Sequence, residues 1–144
     1  MKQLLLATAT CLLLIAVVLV SGCTSDSTEK TAKEWVKLSV LDTDISVNEE
    51  YVFIKVTVEN LKTDKIDIHN DMFSIETKDG KKCNGLSDTE LADDFDKSPG
   101  TLNGGEKATF WTDFKVAKGQ TAKKITLQAT FDGDNDVTVS VPSR

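Results

Sequence analysis

The sequence lacks several features on which common protein functions depend. It contains a single histidine, His69, which excludes a metal site built from several imidazoles. Beyond residue 22 it carries 16 basic and 23 acidic side chains, and this shortage of positive charge argues against a nucleic-acid partner. The chain has no Gly-x-Ser-x-Gly motif, and its periodicity brings no Cys, Ser or His set together. We therefore expect no enzymatic activity and no cofactor.

A long apolar run is present only at the N-terminus. Met1-Lys2-Gln3 is followed by an apolar stretch from Leu4 to Val20, and the stretch ends in Val20-Ser21-Gly22-Cys23. A charged start, an apolar stretch and a small-residue end predict an export signal. The last four residues resemble the lipobox of prokaryotic lipoproteins, which implies cleavage between Gly22 and Cys23 and a lipid on the Cys23 thiol. The alternative is an uncleaved signal anchor.

These features predict the location and the layout of the protein. We expect Lys2 to stay in the cytoplasm. The domain then faces the extracytoplasmic side of the cell membrane, whether the signal is cleaved or kept as an anchor. We predict a signal peptide over 1–22, a flexible tether over 23–33, because this segment is polar, and a folded domain over 34–144. Cys83 is then the one unmodified cysteine, so no intramolecular disulfide can form, and we expect a partly buried structural thiol.

The dominant hydrophobic period in the domain is two residues. Apolar and polar side chains alternate in five runs rich in β-branched and aromatic residues, and two shorter runs resemble them. Thr112 is a polar residue on the apolar side of its run. The runs are centred on 36–40, 52–58, 66–68, 72–77, 108–116, 125–131 and 137–141. They predict an all-β, immunoglobulin-like antiparallel sandwich of about seven strands.

Turn-forming residues separate these runs. Asp79-Gly80 predicts a hairpin with positive φ, and Asn103-Gly104-Gly105 precedes the strand that contains Phe110. The longest segment without a strand pattern is 84–103. Within it, Ser87 to Glu90 has the form of a capping box and predicts a short helical turn from about Asp88 to Phe95.

Several of these motifs occur together in one known family. They are the run Tyr51–Asn60, which ends in Asn, the aromatic strand before Asp79-Gly80-Lys81, the Gly105-Glu106 turn and the Phe114-Lys115-Val116 strand. Together they resemble the DUF4352 family, the telokin-like immunoglobulin-fold domains of exported prokaryotic lipoproteins. The resemblance covers about residues 35–131. It implies a fold and a location but no catalytic residues.

Two candidate sites follow from the residues themselves. Asp132, Asp134 and Asp136 alternate in a loop, as at the start of a calcium loop, although the Gly and Glu of an EF-hand are absent. They form either a loose calcium site or a simple acidic turn. Strict alternation also places four aromatic side chains on the solvent side of their strands, which are Tyr51, Phe53, Trp111 and Trp35. Aromatic side chains in such positions indicate either a contact surface or a face that a crossing loop covers.

The leading hypothesis is a non-catalytic lipoprotein. It is held to the membrane through the lipid on Cys23, and it binds an unknown protein or envelope component through sheet edges and loops. The alternative is an accessory lipoprotein that binds calcium or a small ligand with its acidic loops, 84–98 and 132–136.

Overall fold

The computed structural model describes residues 30–32, 35–87, 95–128 and 135–143. Within them the chain forms ten strands and one 3₁₀ turn. These are β1 (Lys30–Ala32), β2 (Val36–Ile45), β3 (Tyr51–Asn60), β4 (Ile66–Ile68), η1 (Asn70–Met72), β5 (Phe73–Thr77), β6 (Lys82–Asn84), β7 (Gly100–Leu102), β8 (Lys107–Lys115), β9 (Ala122–Leu127) and β10 (Val137–Ser140). No helix in this part of the chain is long and apolar enough to cross a membrane.

The strands form two four-stranded antiparallel sheets. Their orders are β1-β2-β3-β8 and β10-β9-β5-β6, and β4 pairs with β7 in a small third sheet. The inner faces of the two large sheets enclose one hydrophobic core, in which the Phe73 and Phe110 rings meet edge to face at 5.9 Å. The predicted all-β, immunoglobulin-like sandwich is thus confirmed.

Strand β3 shows why the sequence pattern produces this architecture. Its burial alternates without a break from Tyr51 to Asn60, with Val52, Ile54, Val56 and Val58 facing the core. Opposite it, Thr112 on β8 is fully buried, as its position in the alternation requires, and its hydroxyl donates to the Ile54 carbonyl at 3.0 Å. That hydrogen bond allows a polar residue to occupy a core position.

The hairpin between β5 and β6 turns at the predicted position. The Gly80 N–H donates to the Thr77 carbonyl at 2.9 Å, and Gly80 adopts a φ of 84°. A turn followed by a left-handed glycine is the usual three-residue hairpin connection, because glycine has no Cβ to oppose positive φ.

Three short strands were not predicted. They are β1, β6 and β7, and each has three residues of which only one is apolar, so no alternating pattern can appear. Residues 30–32 were assigned to the tether, but they pair with β2, so the tether prediction is wrong for them. The segment 84–103 likewise contains β7. The helical turn predicted between Asp88 and Phe95 falls largely outside the described residues.

Trp35 was predicted to face solvent, and this is wrong. It precedes β2 in a bend, where the two-residue alternation does not yet apply, and it is only 8% exposed. Its indole Nε1 donates to the Asn135 carbonyl at 2.8 Å. A buried tryptophan is stabilised in this way because its ring is apolar and its N–H needs an acceptor.

Candidate binding surface

The outer face of the β1-β2-β3-β8 sheet is divided into two halves. In the half near the end of β3, polar side chains pair with one another: the Thr57 and Thr109 hydroxyls are 2.7 Å apart, and Lys37 Nζ lies 3.9 Å from Glu59. Such cross-strand pairs are ordinary for a solvated sheet face. The other half, near the start of β3, is aromatic.

The predicted aromatic residues do lie on this outer face. Tyr51 and Phe53 occupy outward positions of β3, Trp111 occupies one on β8, and all three are half-buried. Their strands are hydrogen-bonded neighbours, with Lys55 opposite Trp111 and Lys115 opposite Tyr51. The structure therefore places Tyr51, Phe53 and Trp111 on the same face of this sheet.

A fourth aromatic residue, which we did not predict for this face, completes the group. Phe95 comes from the segment between β6 and β7, and its ring stacks on Phe53 at 5.9 Å and meets Trp111 edge to face at 5.1 Å. We call Tyr51, Phe53, Phe95 and Trp111 the aromatic cluster. An isolated aromatic residue in an otherwise acidic segment was the one sequence signal that could have indicated this packing.

Two lysines lie over rings of the aromatic cluster. Lys55 Nζ is 5.7 Å from the centre of the Trp111 ring, and Lys115 Nζ is 5.9 Å from the centre of the Tyr51 ring. At these distances the cations are attracted by the ring faces. The surface therefore combines aromatic rings with two cations, on a domain whose net charge is negative.

The segment that carries Phe95 also covers the outer edge of β8. The Trp111 N–H donates to the Asp96 carbonyl at 2.8 Å, and Gly85 forms a bridge with Phe114. An uncovered edge strand would present a row of free backbone groups to another chain. Because this edge is occupied, contacts on this side must use the face of the sheet rather than its edge.

A buried polar pair fixes the covering segment in place. Asp113 is fully buried, and its Oδ1 accepts a hydrogen bond from Asn70 Nδ2 at 2.6 Å. The same amide nitrogen donates to the Leu86 carbonyl at 2.8 Å. Asn70 thus links η1, the covering segment and β8.

A shallow cleft adjoins the aromatic cluster at Trp111. It has a volume of about 290 Å³. Its lining is His69, Asn70, Asp71, Ser87, Lys97, Ser98 and Trp111. His69 is exposed. The cleft is open, and its lining contains both acidic and basic side chains. It could therefore accept a polar group of a partner that packs on the aromatic cluster.

Cys83 is a partly buried free thiol. Burial raises the pKa of the Cys83 thiol, and the nearby Asp79 charge raises it further, because both disfavour the thiolate. A thiol of this kind is a weak nucleophile. The prediction of a partly buried cysteine is confirmed.

The remaining predicted site residues lie mostly outside the described part of the chain. Gly22 and Cys23, the cleavage and lipidation residues, are among them, as are Asp132 and Asp134 of the calcium hypothesis. Asp136 is described and is half-buried just before β10. Among the described residues, no group of three or more His, Cys, Asp or Glu side chains is placed to hold a metal ion.

Solved structures share this fold at low sequence identity. The secreted protein MPT63 of Mycobacterium tuberculosis is 16% identical with a TM-score of 0.55, over 80% of this chain and 92% of that one. YjhA of Bacillus subtilis is 18% identical with a TM-score of 0.57, over 79% and 96% of the two chains. YcdA of Bacillus subtilis, a candidate lipoprotein, is 17% identical with a TM-score of 0.61, over 81% of this chain but only 39% of that one.

The sequence comparisons identify a family but no curated relative. A comparison with curated proteins gives no significant match. The model of the domain of unknown function DUF4352 matches residues 18–137, a wider range than the resemblance in the sequence had covered. The chain belongs to the DUF4352 family.

Proposed function

We propose that this protein is a lipoprotein of the extracytoplasmic side of the cell membrane, anchored by a lipid on Cys23. Its immunoglobulin-like domain binds a partner protein or an envelope component and catalyses no reaction. The signal and lipobox pattern of residues 1–23 supports the anchor. Two proteins of similar fold are described as a secreted protein and a candidate lipoprotein, which agrees with this location.

The observation that carries the binding function is the aromatic cluster with its two lysines. Half-buried aromatic side chains that pack against each other lose little conformational entropy when a partner covers them. Lys55 and Lys115 at its margins favour a partner with acidic groups beside an apolar contact. The pairing of Thr57 with Thr109 leaves the other half of the same face with no comparable apolar surface.

Site-specific crosslinking in the cells that make the protein tests the binding function. A photoreactive residue replaces Tyr51 inside the aromatic cluster, and a matched control replaces Thr109 on the polar half of the same sheet face. We expect a defined crosslinked product from position 51 and none from position 109. The product from position 51 should disappear when Lys55→Glu is added. Equal products from the two positions, or none from position 51, would contradict the proposed surface.

Intact mass of the membrane form tests the anchor separately. We expect the loss of residues 1–22 together with the added mass of a lipid, and Cys23→Ser should abolish both. A membrane form that retains residues 1–22 would instead support the uncleaved signal anchor. This result would leave the binding function of the domain intact.

A further inference from the structure

Three of the four exposed large hydrophobic residues among the described residues lie on one hairpin. Leu41, Ile45 and Val47 belong to β2 and the β2–β3 turn, and Val47 is fully exposed. We call Ile45 and Val47, at the end of this hairpin, the apolar tip; Leu41 lies four residues before Ile45 on β2. The fourth residue, Leu61, follows β3 at the opposite end of the sandwich. Single exposed apolar residues are normal on a protein surface, but several on one hairpin indicate a contact.

The pairing of β1 fixes the direction from which the chain enters the domain. Lys30 pairs with Ser39, and Ala32 pairs with Lys37, in antiparallel register. The N-terminal end of β1, at Lys30, therefore points towards the side to which β2 runs. This is the side of Ile45 and the hairpin turn.

The length of that chain decides how far the domain can stand from the membrane. Six residues separate Cys23 from Lys30. Seven residue steps reach at most about 25 Å when fully extended, and a flexible chain of this length spans about 15 Å on average. Ile45 lies six residues beyond Ser39, which is about 20 Å along β2, and Val47 lies farther still. The tip thus reaches as far towards the membrane as the lipid-bearing residue itself.

We infer that the apolar tip contacts the headgroup layer of the membrane in which Cys23 is anchored. This inference rests on the proposed lipid anchor. Ile45 and Val47 supply apolar side chains for the layer, as exposed apolar groups of peripheral proteins do. The exposed carboxylates of the same hairpin, which are those of Asp42, Asp44, Glu49 and Glu50, oppose deeper insertion and keep the contact at the level of the headgroups.

This contact would fix the orientation of the aromatic cluster. Tyr51 follows the hairpin turn directly, and its carbonyl accepts a hydrogen bond from the Ser46 N–H at 3.0 Å. Trp111 pairs with Lys55, four residues farther along β3. The aromatic cluster therefore stands on the side of the domain just above the headgroups, where a partner embedded in or lying on the same membrane can reach it.

Fluorescence quenching in vesicles tests the inference with the processed lipoprotein. Val47→Cys and, as a matched control, Leu61→Cys are introduced with Cys83→Ala and labelled with a polarity-sensitive dye. The proteins are reconstituted into vesicles of equal parts phosphatidylglycerol and phosphatidylethanolamine that contain headgroup-labelled nitroxide lipid. We expect nitroxide to quench the dye at position 47, and quenching by aqueous iodide to be several-fold weaker there than at position 61.

A longer tether provides a second test. About twelve Gly and Ser residues inserted after residue 29 would relax the length limit, and iodide quenching at position 47 should then rise towards that at position 61. Equal quenching at positions 47 and 61 in the native-length protein with a lipid on Cys23 would overturn the inference alone. A protein with unmodified Cys23, established by intact mass, would overturn the inference together with the proposed anchor.

Discussion

At the scale of single residues, buried polar side chains explain more of this structure than their number suggests. Asn60 ends β3 and is fully buried. Its amide nitrogen donates to the carbonyls of Asp64, Leu102 and Asn103 at 2.7, 3.2 and 3.0 Å, and its Oδ1 accepts from the Lys62 N–H at 2.9 Å. One amide thus satisfies the backbone groups of two loops, which is why an Asn at the end of this strand can be part of the DUF4352 pattern.

Removing this amide should cost a large part of the domain's stability. Asn60→Ala removes hydrogen bonds to three carbonyls and one N–H, although the Asn103 carbonyl keeps the Glu106 N–H, so we expect the free energy of unfolding to fall by about 2–4 kcal/mol. Asn103→Ala is the matched control, because its exposed side chain contacts only Glu106 and should cost under about 1 kcal/mol. Urea denaturation of both variants measures the difference. Equal losses would show that the buried amide is dispensable.

Cys83 should react slowly because its thiol pKa is raised. At neutral pH less thiolate is present than in an exposed cysteine, and partial burial adds a steric barrier. We expect iodoacetamide to modify the Cys83 peptide more slowly in the native protein than in urea, with a rate that is still rising at pH 9. Peptide mapping after timed alkylation measures both. Native and unfolded rates that coincide would argue against the buried, protonated thiol.

At the scale of elements, the segment after β6 needs a glycine at position 85 to pass between η1 and the edge of β8. A Cβ built on Gly85 would lie 2.0 Å from the Asn70 carbonyl oxygen, which is far closer than atoms can approach. The Gly85 N–H also donates to the Phe73 carbonyl at 2.8 Å, so the residue cannot move away without losing that bond. This close approach allows Asn70 to reach both Leu86 and Asp113.

Gly85→Ala should therefore detach the covering segment from β8. We expect a loss of about 2–4 kcal/mol in the free energy of unfolding. The tryptophan emission should also shift to the red as Phe95 leaves Trp111. Asn84→Ala, an exposed position directly before Gly85, is the control and should change neither property. A Gly85→Ala protein with the stability and emission of the Asn84→Ala control would contradict this account.

The turn at Gly104 requires a glycine because two loops approach each other closely there. In this chain a Cβ on Gly104 would lie 2.2 Å from the Thr63 carbonyl oxygen. The close passage of the loop after β3, which Asn60 holds in place, leaves no room for a side chain there.

At the scale of the whole molecule, the sequence predicts those features that depend on neighbours along the chain. Strands β3 and β8 bury one face along their length, and β2 does so over its first five residues, so a period of two identifies them and orients Tyr51 and Phe53 correctly. Phe95 and Trp35 were not placed correctly, because each packs against a residue remote in sequence. Strand β6 pairs with the longer β5, and β7 pairs with the equally short β4, so both depend on partners remote in sequence.

Two turn carboxylates make the stability of the whole domain depend on pH. A hydrogen bond from Thr77 holds the pKa of Asp79 below its ordinary value, and hydrogen bonds from Asn103 do the same for Glu106. In the acidic range the unfolded chain therefore binds more protons than the folded one. The contribution of these groups to stability is complete above the pKa of the unfolded carboxyls, and it is lost as the pH falls through the lower folded values.

Replacing both carboxylates should flatten the dependence of stability on pH. We expect the free energy of unfolding of the Asp79→Asn, Glu106→Gln double variant to fall less steeply with acidification than that of the wild type. At neutral pH the variant should be the less stable of the two, because the hydrogen bonds that favour the charged forms are weakened. Thermal melts across the acidic range measure the slope, with Asp64→Asn as the control for a carboxylate-to-amide change at an exposed position. Only groups whose proton affinity changes on folding contribute to the dependence of stability on pH. If the double variant and the wild type have the same slope of stability against pH, other groups govern acid unfolding.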